Sequence, residues 1–349
     1  MIAAASDAPI AEDAASFVTA LLACAALTPL FARLAVRRGW VDDGSDAADR
    51  KPQARAVPLV GGTAIVVACL VAHVVGRAFG ARGALDWIEP VRGAIVGSTA
   101  SIWIVSSLAL AYLAGLVDDL APRGLAPQHK LAGQTLAACA LAAGCAALGA
   151  EPRWSSALAW LVAGVWAQNA LNTFDNADGV AAAVTLCGTA AAAPAIAGAV
   201  CGFLPFNLWI RRGDAGASER TTPVAYLGDS GSHLLGLALL LHPVARWALL
   251  VPSLDLLRVV IVRMRSGRAP WIGDRRHLAH RMSSAGWSRT SIVLTLCAIT
   301  APAIVGAALT EFADTGSTAT WTGSTATWIG SAVTLAGFLT VLRASRGRA

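Results

Sequence analysis

Four short groups of polar residues interrupt an otherwise apolar sequence, and each has the side chains of a recognisable chemistry. Gly115-Leu-Val-Asp118-Asp119 sets two carboxylates side by side. Adjacent carboxylates repel, so one tends to hold a proton unless a divalent metal or a phosphate-bound partner relieves the pair. Lys130 follows within reach of the same surface. In Asn172-Thr-Phe-Asp175-Asn-Ala-Asp178-Gly179 the spacing i, i+3, i+6 puts Asn172, Asp175 and Asp178 on one stripe if a helix persists. Such a row of oxygens suits Mg2+ or ribose hydroxyls; the alternative for Asp178 alone is a helix N-cap. In Leu227-Gly228-Asp229-Ser230-Gly231-Ser232 the glycines allow backbone N–H groups to approach an anion at a helix start while Asp229 reaches a metal. An ordinary turn and cap would look similar. The last group, residues 268–281, sets His277 and His280 at i, i+3 with Asp274 among Arg268, Arg275, Arg276 and Arg281. Arginine forks and imidazoles fit a diphosphate or a base; a basic loop on the inner side of a membrane is the competing reading.

The elements that must position these groups are membrane helices. Hydrophobic residues make up 56% of the 349 and charged ones only 14%, against about a quarter in soluble domains. Apolar runs predict helices over 15–36, 57–79, 93–115, 131–150, 154–172, 180–194, 195–210, 230–242, 244–262, 290–309 and 325–343. The pair between 180 and 210 is short for two crossings at ~20 residues each, with Pro194 as the natural break. Eleven spans (ten if that pair merges) form one integral membrane domain over 1–349, with the motifs between about 50 and 289. Counting alternate loops, 22 of the 27 Lys and Arg fall on one side and 5 on the other. The positive-inside rule then sets the N-terminus out, the C-terminus in and every motif group in cytoplasmic loops.

Other features exclude rather than assign. Seven scattered cysteines without a Cys-x-x-Cys pair read as small buried apolar residues, and His73 and His242 as packing residues. The net charge of +6 is spread over many loops, so nucleic acid is not a partner. The first fifteen residues carry acids and no Lys or Arg, unlike a signal peptide, so the first run is expected to remain as a span. The block TGSTATW occurs twice in succession, at 315–321 and 322–328, and reads as a neutral duplication.

Taken in order, Arg50-Lys51…Pro58-Leu-Val-Gly61-Gly62, Asp118-Asp119, Lys130…Gln134, Asn172…Asp175…Asp178-Gly179, Gly202-Phe-Leu…Phe206-Asn207, Gly228-Asp229-Ser-Gly-Ser232 and Pro270…Asp274…His277…His280-Arg281 resemble the polyprenyl-phosphate N-acetylhexosamine-1-phosphate transferase superfamily (glycosyltransferase family 4; MraY/WecA/TagO-like, closer to the WecA/TagO branch). The resemblance implies an all-α polytopic enzyme of the bacterial inner membrane. It would transfer N-acetylglucosamine 1-phosphate, or a close relative, from a UDP-sugar to undecaprenyl phosphate, releasing UMP, as the first membrane step of a cell-envelope glycan.

It also implies Mg2+ (Mn2+ as a substitute) on Asp178 and Asp229, and catalytic roles for Asp118, Asp119, Asp175, Asp178 and Asp229. Lys51, Lys130, Asn172, Asp274, His277, His280 and Arg281 would bind substrate, and a homodimer is compatible with it. Three positions depart from the family pattern: Gln53, Asn176 and Ala279 stand where His, Gly and His are usual. The segment 180–210 is shortened and 208–222 carries an insertion. A secondary transporter would hold its ionisable groups at the bilayer midplane between repeats, which the grouping here disfavours. A catalytically inactive family member is the other alternative.

Overall fold

The computed structural model describes residues 4–42, 56–79, 98–121, 124–148, 154–190, 192–208, 210–211, 222–273, 275–314 and 320–346. Lys51 and Asp274, and with them part of two predicted binding motifs, lie outside these residues.

Each predicted apolar run has a helix: α1 (Ala4–Arg38), α2 (Gly61–Ala78), α3 (Thr99–Leu120), α4 (Pro127–Leu148), α5 (Trp154–Phe174), α6 (Val180–Thr189), α7 (Pro194–Leu208), α8 (Gly228–Leu241), α9 (Leu250–Arg265), α11 (Arg289–Asp314) and α12 (Thr320–Ala344). Proline opens α4 and α7 at the first helical position, where its missing N–H removes no bond. Among the described residues, six helices are long and apolar enough to cross a bilayer by length and composition. The chain is thus an all-α, multi-pass membrane protein. With 10 residues, α6 reaches only ~15 Å at 1.5 Å per residue, half of a hydrocarbon core.

Three features escaped the apolar pattern because they are short. Two-stranded ribbons pair β1 (Val41–Asp42) with β2 (Val57–Pro58) and β3 (Ile210–Arg211) with β4 (Thr222–Pro223), both antiparallel. A seven-residue helix, α10 (Leu278–Ser284), lies inside the histidine loop. A 3-10 turn, Ala245–Leu249, leads into α9, and His242 Nδ1 accepts from the N–H of Val244 at its start, a capping role for a residue expected only to pack. At the other end of the chain, α12 starts at Thr320, so the second TGSTATW copy is helical.

Small residues set the helix spacing. Gly198 and Gly202, four apart on α7, lie against α1: a Cβ would come within 2.1 Å of the Phe17 carbonyl and 2.4 Å of that of Leu21. Close backbone approach of this kind replaces the hydrophobic drive that lipid removes. Gly306 and Gly330 do the same for the antiparallel pair α11 and α12.

These contacts also fix direction. Helices α6 and α7 leave the motif end of the bundle and return to it. Gly188 meets Ala248 in the 3-10 turn at the far end, and Asn207 Oδ1 accepts from the N–H of Gly179 at the near end. Among the described residues, Arg77 and Arg246 are the basic residues at the far end, and the arginines of residues 258–289 lie at the motif end.

Candidate active site

The site is assembled where the end of α3 meets the starts of α4 and α8. Gly115 makes the approach feasible, since a Cβ there would lie 2.4 Å from the carbonyl of Asp229. Gly62 of α2 packs equally close, since a Cβ there would lie 2.3 Å from the N of Gly231. Backbone bonds from Gly61 and Gly62 N–H to the carbonyls of Tyr226 and Leu227, at 2.9 and 2.8 Å, seat α2 on the same turn.

The two neighbouring aspartates of α3 part company. Asp119 turns to the N-terminus of α8, where Oδ1 accepts from the N–H of Asp229 at 2.7 Å and Oδ2 accepts from the N–H and hydroxyl of Ser230 at 3.0 and 2.6 Å. A carboxylate there satisfies the orphan donors of the first turn and complements the helix dipole. The anion expected at this glycine-rich helix start is therefore the chain's own Asp119. Asp119, one of the residues expected to be catalytic, thus caps α8.

Asp118 instead faces Lys130. Its Oδ1 accepts from Leu125 N–H at 2.8 Å, and its Oδ2 is 3.3 Å from Lys130 Nζ. The same ammonium pairs with Asp229 Oδ2, so carboxylates from two helices converge on one cation. Asn172 Nδ2 donates to Asp229 Oδ1 at 2.7 Å and to Ser232 Oγ at 3.0 Å, which aims the Asp229 carboxylate. One turn deeper, Gln134 meets His233 and Asn169 in a buried amide seam that joins α4, α5 and α8.

The expected stripe of Asn172, Asp175 and Asp178 does not form as one helix face, because α5 ends at Phe174 and residues 175–179 turn. Gly179, at φ +78°, permits that turn. Asp178 pairs with Arg289 of α11, Oδ2 to Nη1 at 2.9 Å. Burial raises its carboxyl pKa above the usual range, and the guanidinium offsets only part of that rise. Asp175 remains on the wall of the same cleft.

That cleft has a volume of about 1540 Å³ and is lined by Lys130, Asn172, Asp175, Asp178, Asp229, Arg263, His277, His280 and Arg289 among others. An apolar wall of Leu131, Leu161, Val162, Val165, Leu256 and Val260 continues it between α4, α5 and α9. Arg281, predicted to bind substrate, does not line the cleft; its Nη2 donates to the carbonyl of Leu342 on α12 at 3.3 Å. Ala279 is buried on the cleft wall where the family pattern has histidine.

Two residues of this region carried no motif signal. Asp255 is 1% exposed inside α9 and binds His277 Nδ1 at 2.9 Å. Arg289 opens α11 and was visible only as one basic residue among many.

Residues 101–245 match the family described as glycosyl transferase family 4. The decaprenyl-phosphate N-acetylglucosaminephosphotransferase of Mycolicibacterium smegmatis is 33% identical over 149 residues, 36% of this chain and 34% of the relative. That of Mycobacterium tuberculosis is 29% identical over 213 residues, 47% and 50% of the two chains. The undecaprenyl-phosphate alpha-N-acetylglucosaminyl 1-phosphate transferase of Escherichia coli K12 is 30% identical over 96 residues, 23% and 26%. The chain thus spans half or less of the length of these curated relatives. The matched segment brackets Asp118, Asp119, Lys130, Asn172, Asp178 and Asp229, and over it the chain is similar to glycosyl transferase family 4 and to polyprenyl-phosphate N-acetylglucosamine-1-phosphate transferases.

Proposed function

We propose that this protein transfers a sugar 1-phosphate, N-acetylglucosamine 1-phosphate by the names of its relatives, from a UDP-sugar to a polyprenyl phosphate, releasing UMP. The observation that carries the reading is the shared Lys130 ammonium between Asp118 and Asp229 at the inner edge of a large cleft. A lipid phosphate and a nucleotide diphosphate are both anionic, so joining them needs cations beside carboxylates that can hold or take a proton. Lys130, Arg263 and Arg289 supply the cations on one cleft, and the apolar wall beside α4 and α9 suits an isoprenoid chain.

In this reading Asp118, fixed by the Leu125 N–H, faces the attacking lipid phosphate, while Lys130 offsets charge between acceptor and donor. Asp119 positions Asp229 by holding the first turn of α8. Asn172 orients the Asp229 carboxylate, and Asp175 and His280 face the nucleotide-sugar from the walls.

Mg2+ fits as a shared ion rather than a caged one. Among the described residues no three His, Cys, Asp or Glu side chains gather to hold a metal. Mg2+ usually takes one or two carboxylates and completes its shell with phosphate and water. Asp229 Oδ2 is buried, paired with Lys130 and without a conventional hydrogen bond, a hard oxygen suited to that use. Asp178 is the second candidate. A bound Mg2+ would offset charge on the diphosphate and make UMP a better leaving group. The positive-inside pattern supports a cleft that opens to the cytoplasmic face of the bacterial inner membrane, where nucleotide-sugars are available.

The test is UMP release from purified protein given UDP-N-acetylglucosamine, undecaprenyl phosphate and Mg2+, with EDTA as the control. Release that stops in EDTA and in Asp118→Asn and Asp229→Asn supports the assignment. No UMP from a panel of UDP-sugars, or unchanged rates in both variants, overturns it.

A further inference from the structure

The region beyond residue 245, outside the family match, holds a buried charge cluster whose centre, Asp255, has no part in the roles above. Asp255, on α9, is 1% exposed and does not line the cleft. Its Oδ1 accepts from Arg258 Nη2 at 2.7 Å and from the N–H of Leu278 at 3.1 Å, and its Oδ2 meets His277 Nδ1 at 2.9 Å. On the other side of the imidazole, Arg263 Nη2 lies 3.4 Å from His277 Nε2, and Arg263 Nη1 donates to the carbonyl of Pro270 at 2.7 Å. His277 and Arg263 are 5% and 4% exposed, and both line the cleft.

The chemistry of the three groups orders them. A guanidinium has only donors, so His277 Nε2 must accept from Arg263. The imidazole proton then sits on Nδ1 and goes to Asp255. Held this way, His277 passes the orientation of a fully buried carboxylate to a guanidinium on the cleft wall. Asp255 also holds the first N–H of α10, and Arg258 Nη2 donates to the carbonyl of Arg276, which fixes the loop end that carries His277. Such an outer layer commonly sets the tautomer and aim of the group that meets the ligand. Desolvating a carboxylate is costly, and that cost is offset here by the Arg258 and His277 side chains and a backbone donor.

We propose that Asp255 is a positioning residue and that Arg263, oriented through His277, is the ligand of an anionic phosphate oxygen of the nucleotide. This rests on the nucleotide-sugar reading of the cleft. It also moves His277 from a direct substrate contact to the link between the two.

The probe is UMP, titrated calorimetrically into the full chain in nanodiscs, for wild type, Asp255→Asn, Arg263→Gln and the double variant. Each single change is expected to weaken UMP binding at least tenfold, with the double variant no weaker than Arg263→Gln alone, because both remove one contact. Additive losses, or an Asp255→Asn protein that binds UMP like wild type, overturn the proposal. If Asp255→Asn does not fold, His277→Gln replaces it under the same criteria. A merely structural role would lower the melting temperature without producing this non-additivity. Wild type that binds no UMP defeats the nucleotide reading itself, and this inference with it. Wild type that binds while the variants are unaffected defeats the inference alone.

Discussion

Asp119 Oδ2 accepts two hydrogen bonds from Ser230, one from its N–H at 3.0 Å and one from its hydroxyl at 2.6 Å, across 111 residues of sequence. The neighbouring Asp118 makes no such bond and faces Lys130 instead. Adjacent aspartates therefore answer to different measurements. Asp119→Ala is expected to lose about 1–2 kcal/mol, the usual effect of removing a helix cap, seen as a lower melting temperature. Asp119→Asn should keep most of that stability, since Asn also caps. Asp118→Asn should melt close to wild type and lose about 100-fold or more in UMP release, the scale of a lost acid or base. Equal kinetic losses in Asp118→Asn and Asp119→Asn would contradict this division.

Gly115→Ala tests the close approach of α3 and α8. Its Cβ would sit 2.4 Å from the backbone of Asp229, so the two helices must part. Overpacking of this kind costs roughly 1–3 kcal/mol and also displaces Asp229. Turnover should fall further than stability alone explains. A variant of unchanged rate and melting temperature would show that the contact is not tight.

The ion pair of Asp178 with Arg289 gives a pH prediction. Burial already favours the protonated carboxyl, and the guanidinium opposes it. Arg289→Gln leaves burial unopposed, so the pKa rises further and fewer molecules hold the carboxylate at a given pH. The acidic limb of kcat/KM for UMP release should shift to higher pH, and a limb that stays in place would remove Asp178 from the titration that governs rate.

Sidedness has a direct readout. Ser283, in α10, and Arg246, in the 3-10 turn, are exposed at opposite ends of the bundle. In a background without native cysteines, Ser283→Cys should react with an impermeant maleimide only in inverted vesicles and Arg246→Cys only in right-side-out ones. Labelling of both from one side would overturn the layout in which α6 and α7 together turn the chain back.

The helices were legible because lipid as solvent demands long apolar runs, and a run of Ala, Val and Leu has few other uses. That two helices, not one, occupy 180–208 was legible from charge, since only with two elements there do Arg258–Arg289 join the other cations. The ends of elements were harder. A continuous stripe through Asn172, Asp175 and Asp178 presumes that α5 continues, yet Gly179 in the left-handed region lets the chain turn first.

Asp255 and Arg263 were hidden for a different reason. Both lie on one apolar-looking segment, and a carboxylate among Leu and Val carries no sign of its partner until the loop bearing His277 folds onto it. The roles of Asp118 and Asp119 could not be separated by sequence either, since which carboxylate meets α8 depends on helix rotation.

The cap made by Asp119 has a consequence for how this protein is made. Its three donors belong to Asp229 and Ser230, which leave the ribosome more than a hundred residues later. A nascent chain ending after α7 already carries Asp118, Asp119 and Lys130, but no α8 to receive the second carboxylate. Insertion of the first seven helices thus yields a bundle with its acids unsorted, and the arrival of α8 in the translocon is the event that assigns one aspartate to architecture and leaves the other to chemistry.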